Sequence, residues 1–522
     1  MEIDWFLVSM ICLVFVILII TNIYLIVHFQ HPSDKNEALF PKLLVLMGLT
    51  LSQLTILLLP LDVANNSGYA GCDGYDISVC GGLNMEIAWE IVYFSVLAFV
   101  VLLIPFAIFY YEADDGMGNH QESQLCSAIK YEFVVLLVSG LSLFLMYFYL
   151  ATTEIPLTTL AVDVSSTVYL TMEPDTFPTD GLADCGPEDI AVAESATTAS
   201  TTLNMELTFP IYVSAMLGFV GWFFFVIFCG VGLAALPIDL VCAYMYRPRH
   251  MDAIEFAEAQ LSVRNRVGEL IEIGELLKRE REDRKGDKQG FWSKRKGDQT
   301  DRKTVNQFKQ SVYILEEDVE ELKWCHELYH KYNPLIPFGK LLCGILSSLL
   351  SLMWIIHVCI FVLPDDPISP FLNEYFVWFD GWFPLFGVLS VMLFSMYLQA
   401  CVIKGCFKMG VRFFFVSLHP MKVNGTYMNS FLFNLGLILL CSLPIVQFCT
   451  IAFSDYARFT NVNQIFGVQV KYLRFFSYFW TTNAFIYAIL GMAVLSTGYL
   501  LLKPRDTPAN GQALRSKLTR RK

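Results

Sequence analysis

The sequence predicts an all-α polytopic membrane protein, with nine transmembrane helices and a cytosolic coiled-coil helical hairpin. Three observations carry this prediction. Of 522 residues, 55% are hydrophobic and only 16% charged, whereas soluble domains carry about a quarter charged residues. The apolar residues form continuous runs of membrane length, unlike the ~10-residue alternating segments of a transmembrane barrel. One charged stretch, 247–334, separates five such runs from four.

The first run, 6–27, follows Met1-Glu2-Ile3-Asp4-Trp5. Its acidic start and its length read as a retained membrane helix rather than a cleavable signal. The second run is 43–61. The loop 62–84 holds Cys72 and Cys80, a candidate small-loop disulfide if it faces an oxidising compartment. Asn65-Asn66-Ser67 makes Asn65 a candidate glycosylation acceptor. The third and fourth runs are 85–111 and 131–150. The insertion 151–207 has ten acidic residues, no Lys or Arg and a Ser/Thr-rich run at 195–202. With few large apolar residues, it is expected to be partly disordered and packed on its neighbours. It also holds Cys185, a competitor for pairing with Cys72 or Cys80. The fifth run, 209–233, leads through Pro237 and Asp239 to the basic stop at Arg247.

Within 247–334, Val305, Phe308, Val312, Leu315, Val319 and Leu322 follow a three–four spacing, and Val263, Val267, Leu270, Ile273 and Leu277 form a second stripe. That is the pattern of a coiled-coil seam. The charged, glycine-containing stretch 278–303 between them predicts an antiparallel hairpin with a charged tip, set against the alternative of a solvated spacer. A protein partner is expected at this hairpin. Glu272 to Leu277 also fits an acidic dileucine sorting pattern, but Leu277 belongs to the stripe.

The remaining runs are 335–363, 382–403, 427–452 and 476–502. Between them, 404–422 carries Lys408, Arg412 and a triple phenylalanine, a composition that predicts a helix lying in the interface. The domains are therefore 1–246, 247–334, 335–502 and a basic tail, 503–522.

Charge sets the orientation. From Lys42 to Arg247 the sole intervening basic residue is Lys130. The positive-inside rule places 247–334, 404–422 and the tail in the cytosol, with the N-terminus, 62–84 and 151–207 outside or luminal. Arg458, Lys471 and Arg474 run against this bias, as does the acidic loop 112–126. The net charge of −13 argues against a nucleic-acid partner.

Ionisable groups inside membrane segments are functional candidates, because burying them costs at least about 2.5 kcal/mol at the centre. Here they are Asp62, Glu86, Glu90, Asp239 and His357. Glu86 and Glu90 share a helical face and could receive a cation or a cationic ligand group; Asp239 follows Pro237 and could cap a helix break. The bland readings are interfacial carboxylates in water and a hydrogen-bonded packing histidine. Pro60, Pro105, Pro237 and Pro384 mark kinks or ends, and Gly218, Gly221, Gly230 and Gly232 allow close helix contact. No HExxH, GxSxG, P-loop or zinc-spaced cysteine set occurs, so no catalytic residue, cofactor or metal is assigned.

Several stretches together resemble the lipocalin-interacting membrane receptor (LIMR), or limb-region membrane protein, family, most closely its plant-type members. They are Leu58-Leu59-Pro60-Leu61-Asp62, Ile104-Pro105-Phe106 through Tyr110-Tyr111-Glu112, Gly230-Val231-Gly232 through Pro237, Ser369-Pro370-Phe371-Leu372-Asn373-Glu374 and His419-Pro420-Met421-Lys422. The last leads into Met428-Asn429-Ser430 through Asn434. The resemblance implies nine helices, an outside N-terminus and a cytosolic coiled-coil insertion, in a plasma or endolysosomal membrane. It implies a receptor or adaptor, since some relatives internalise lipocalins, with a lipocalin-like or small-molecule ligand on the outer face. The alternative is a transport component, either a permease or an escort for a small-solute transporter, since a distant branch escorts lysosomal cobalamin export. No catalytic residue is carried over from the family.

Overall fold

A computed structural model describes residues 5–31, 39–67, 83–112, 124–162, 196–245, 253–285, 308, 311–316, 318–319, 322, 335–364, 366–383, 385–409, 412–413, 416–417 and 426–502. Among these, nine helices are long and apolar enough to cross a membrane: Val8–Phe29, Leu39–Asn65, Met85–Tyr111, Leu125–Leu150, Phe209–Met245, Leu335–Val362, Phe386–Lys408, Met428–Ala452 and Ala484–Leu502. They agree with the nine expected runs in order and place. A membrane imposes this, because each backbone N–H and C=O must be satisfied within the segment.

The helices are α1 (Trp5–Phe29), α2 (Leu39–Ser67), α3 (Met85–Ala98), α4 (Ile104–Glu112), α5 (Gln124–Leu150), α6 (Phe209–Met245), α7 (Ala253–Lys285), α8 (Leu335–His357), α9 (Phe371–Asp380), α10 (Phe386–Met409), α11 (Met428–Ala452), α12 (Ser477–Thr481) and α13 (Ala484–Leu502). Among the described residues, three π-helical segments interrupt or join them, at Phe99–Leu103, Val358–Val362 and Asn463–Val470.

Three expectations are corrected. First, α6 does not break at Pro237 but continues to Met245, so Asp239 lies within the helix instead of capping a break. Proline removes one N–H, and the surrounding turns keep the rest of the ladder. Second, the link 404–422 is not an interfacial helix in its described part. It extends α10 to Met409 and then forms short antiparallel strands, β3 (Arg412–Phe413) and β4 (Val416–Ser417).

Third, the described ends of 151–207 are ordered strands, β1 (Thr152–Val162) and β2 (Ala196–Glu206), paired antiparallel from Thr152↔Glu206 to Val162↔Ala196. β-Branched threonines favour extended backbone. An isolated two-stranded pair is marginal, and this one is braced by a third segment. Glu154 N–H donates to Tyr472 O at 3.2 Å, Arg474 N–H donates to Thr152 O at 3.2 Å, and Thr153 bridges Leu473. Pro60, expected to mark a kink or an end, lies inside α2. Pro384, Cys72, Cys80 and Cys185 lie outside the described residues.

The chain divides into two compact units, Met1–Leu233 with Leu352–Ala493, and Ala234–Ser351 with Val494–Lys522. In the first, α11 is the hub. Its most hydrophobic window is 83% buried, against 0% for that of α5, so α11 is enclosed by protein while α5 faces lipid. α11 packs on α2 and α10. Polar side chains at membrane depth bind helix to helix. Asn22 and Gln53 exchange amide hydrogen bonds at 2.9 and 3.1 Å between α1 and α2. Gln399 donates to Ser52 at 2.7 Å, and the Trp222 indole donates to Gln447 at 2.8 Å. Glycines of α6 and α10 permit backbone contact: a Cβ at Gly232 would overlap the Cys401 carbonyl, and one at Gly405 the Phe228 carbonyl.

In the second unit, Leu270, Ile273 and Leu315 form a buried cluster, with Val263, Val267, Leu277, Phe308 and Val312 packed against it. Arg266 pairs with Asp318 at 2.6 Å. The apolar cluster draws on both sequence stripes.

Candidate functional site

Two polar clusters of the first unit lie where α2 ends, α3 begins and α11 ends, around the connector 453–483. Asp62 lies in the last turns of α2 and is fully buried. Its Oδ2 accepts the indole N–H of Trp89 at 3.0 Å and the backbone N–H of Val462 at 3.0 Å, and the backbone of Asn461 also hydrogen-bonds to the carboxyl. Three N–H donors around one carboxylate replace the water it has lost. The ring of Trp89 stacks on Tyr93, which meets Phe466 edge-on. Asp62 is thus bonded to α3 and to the connector at once.

Glu86 and Glu90 flank Trp89 in sequence but do not join this cluster. Both are exposed, while Trp89 turns inward from the same helix. Four-residue steps bring Met85, Trp89 and Tyr93 together on the buried face, and the two glutamates, also four apart, follow a neighbouring exposed stripe. Asn65, one turn beyond Asp62, is 2% exposed. Its amide donates to Leu83 O at 3.2 Å and accepts from Leu83 N–H at 3.3 Å, closing the two ends of 66–82.

A second cluster surrounds His357, which is also fully buried. Its Nε2 lies 2.8 Å from the Ala452 carbonyl, one of the unsatisfied acceptors at the end of α11. Asn373 of α9 donates to the same carbonyl at 3.4 Å and accepts from Tyr456 N–H at 3.4 Å. The Tyr456 hydroxyl donates to Asp380, whose other oxygen accepts the Gly387 N–H at 2.7 Å. Asp380 thereby caps the start of α10. Leu385, in the intervening turn, takes φ 84°, a left-handed conformation that costs a non-glycine residue about 1–2 kcal/mol. Burial, then the Asp380 hydrogen bond and charge, hold the Tyr456 phenol well above its ordinary value. His357 stacks on Phe361 at 5.0 Å and meets Phe371 edge-on at 5.3 Å. The Nε2 contact fits the hydrogen-bonded packing reading, while the buried Nδ1 has no hydrogen-bond partner among the described residues.

The connector carries the cations that run against the charge bias. Arg474 pairs with Glu154 at 3.9 Å, the Arg458 guanidinium lies over Phe459, and Lys471 lies over Tyr472 at 5.6 Å, its pKa lowered by partial burial. Asp239 sits half-buried in α6.

The structure therefore unites Asp62 with Trp89, Asn461 and Val462, and His357 with Asn373, Tyr456 and Asp380. Sequence reasoning missed all these partners except the motif Ser369 to Glu374, which contains Asn373. It also missed Glu132, which is 4% exposed within the α5 span with neither oxygen hydrogen-bonded. A carboxylate two residues inside an apolar run was the available signal. Among the described residues, no three His, Cys, Asp or Glu are grouped to hold a metal.

The nine spans and their buried hydrogen-bonded polar groups define a polytopic α-helical membrane protein. The chain belongs to the LMBR1-like membrane protein family, whose model matches residues 7–294 and 298–498. It is 32% identical to a LIMR family protein of Dictyostelium discoideum over 94% of this chain and 95% of that one. It is 34% identical to a LIMR family protein of Oryza sativa subsp. japonica over 94% of this chain and 95% of that one. A LIMR family protein of Arabidopsis thaliana is also 34% identical, over 93% and 94% respectively. No solved structure matches.

Proposed function

We propose that this chain is a non-enzymatic receptor or adaptor of the LIMR type, acting in ligand uptake or membrane-protein trafficking. One observation carries the reading: Asp62 and His357, the two candidates of the sequence that are fully buried, are each hydrogen-bonded within the fold. Asp62 accepts from Trp89 and Val462, and His357 is bonded to Ala452. A translocation site needs polar groups that converge on a solute and can release it, whereas these hold helix ends together. Specificity then falls to the solvent-facing parts.

On the cytosolic side of the charge-based orientation, α7 and the second stripe act as a helical hairpin that docks a protein partner. The packing of Leu270 and Ile273 on Leu315, with Phe308 and Val312 beside them, supports that reading, as does the three–four spacing. On the opposite side, the loops 62–84 and 151–207 present the ligand-binding face.

The test is co-purification of the full chain from native membranes in mild detergent. Wild type is expected to retain a partner polypeptide in fixed ratio, and the variant I273D/L315D to lose it while the membrane part stays monodisperse. A solute transporter as that partner selects the escort role among adaptors. No partner, together with solute flux in vesicles containing this chain alone, overturns the receptor or adaptor reading in favour of a permease.

A further inference from the structure

The segment from α8 to α10 contains a helix with two faces that the family assignment and the receptor reading leave unexplained. Helix α9 has ten residues, too few to cross a bilayer, which needs about 20. One face holds Leu372, Asn373 and Phe376, all buried, and joins the His357–Ala452–Asn373–Tyr456–Asp380 network. The other presents Val377 and Trp378, and continues past the helix end into Trp382 and Phe383. Trp378 is 56% exposed and Trp382 is 70% exposed. These two rings pack on one another at 5.2 Å between centroids.

What covers this aromatic face follows from its neighbours. It is continuous in sequence with two membrane spans, Leu335–Val362 and Phe386–Lys408, so it sits where the chain turns at a bilayer surface. Tryptophan prefers that level, with its ring in the apolar boundary and its N–H toward water. No Lys or Arg occurs between Lys340 and Lys404, while Asp365, Asp366, Glu374 and Asp380 all do. The surface is therefore unsuited to anionic lipid, and its aromatic rather than aliphatic character suits the headgroup boundary rather than the hydrocarbon centre.

We propose that α9 is an interfacial helix. Its Val377–Trp378–Trp382–Phe383 face is seated in the headgroup boundary of neutral lipid, and its opposite face is held by Asn373, Phe376 and Asp380. The helix links the lipid surface to the network that closes the ends of α8, α10 and α11.

The full chain, reconstituted in phosphatidylcholine vesicles, tests this by tryptophan fluorescence. The lipid is brominated either near the glycerol backbone or near the chain terminus. The signal of interest is wild type minus the W378F/W382F variant, because the chain has nine tryptophans. Shallow bromines are expected to quench this difference at least about twofold more than deep ones, with no increase in quenching when brominated anionic lipid replaces brominated phosphatidylcholine. Equal or stronger quenching by deep bromines overturns the proposal by placing the face in hydrocarbon. Absence of bromine quenching also overturns it, by placing the face against water or protein. Stronger quenching by anionic lipid overturns the neutral-lipid assignment. Should the double variant fail to fold, W378F and W382F taken singly give the same comparison at lower amplitude.

Discussion

Asp62 accepts the backbone N–H of Val462 at 3.0 Å across 400 residues of sequence. With the Trp89 indole on the same oxygen, this bond fastens α2, α3 and the connector 453–483 to one carboxylate. It makes Asp62 a keystone of the helix ends.

Asp62→Ala is therefore expected to leave the three N–H donors of Trp89, Asn461 and Val462 without this acceptor, and to destabilise the protein by about 2–4 kcal/mol. Thermal unfolding in detergent reads this as a clear drop in midpoint. Glu86→Gln and Glu90→Gln, on the exposed stripe, are expected to change the midpoint little. A midpoint unchanged in Asp62→Ala would sink the keystone role.

Gly232 and Gly405 place the backbones of α6 and α10 in direct contact, each facing the other helix's carbonyl. Gly232→Ala inserts a methyl into the Cys401 carbonyl and must separate the helices. Overpacking of this kind costs about 1–3 kcal/mol. Gly140, with open space where a Cβ would stand, is the control: Gly140→Ala is expected to be neutral or slightly stabilising, as helix propensity favours alanine. Paired melting curves check both.

Tyr456 yields a pH prediction. Its folded pKa lies above the ordinary 10.0 because burial and Asp380 favour the neutral phenol. The folded state then holds a proton that the unfolded state releases from about pH 10 upward, so the contribution is complete below pH 10 and lost as pH rises toward the folded pKa. Wild type is expected to lose stability more steeply than Tyr456→Phe in alkaline buffer above pH 10. Parallel slopes would remove the Asp380–Tyr456 contact from the account.

Asn65 fits the acceptor pattern for a sugar, but its amide is enclosed and bonded twice to Leu83. The expected outcome is a chain whose Asn65 is unmodified. Glycosidase digestion of Asn65→Gln and wild type should give the same mobility. Mass-spectrometric detection of a glycan on Asn65 would overturn this.

Some features were legible without a structure because they are periodic or contiguous. The nine spans follow from apolar run length alone, since the bilayer sets the length. The Val263–Leu277 stripe follows from helical spacing, and its residues do pack against Leu315 and Phe308. The continuation of α6 through Pro237 was not legible: local propensity marks a break, and packing in an apolar medium overrides it. The strands β1 and β2 were missed because their stability comes from Tyr472, Leu473 and Arg474, more than 250 residues away.

By itself the sequence determined the class, the count and order of the membrane helices, the charge asymmetry and the family. These depend on composition and on short-range pattern, which solvent and bilayer read directly. Only the tertiary structure decided what the ionisable residues do. Asp62 and Glu86 look alike as acids near a segment end, yet one is enclosed by Trp89 and Val462 and the other faces outward. A carboxylate's role depends on which donors the fold brings to it, and the chain position of those donors carries no local signal.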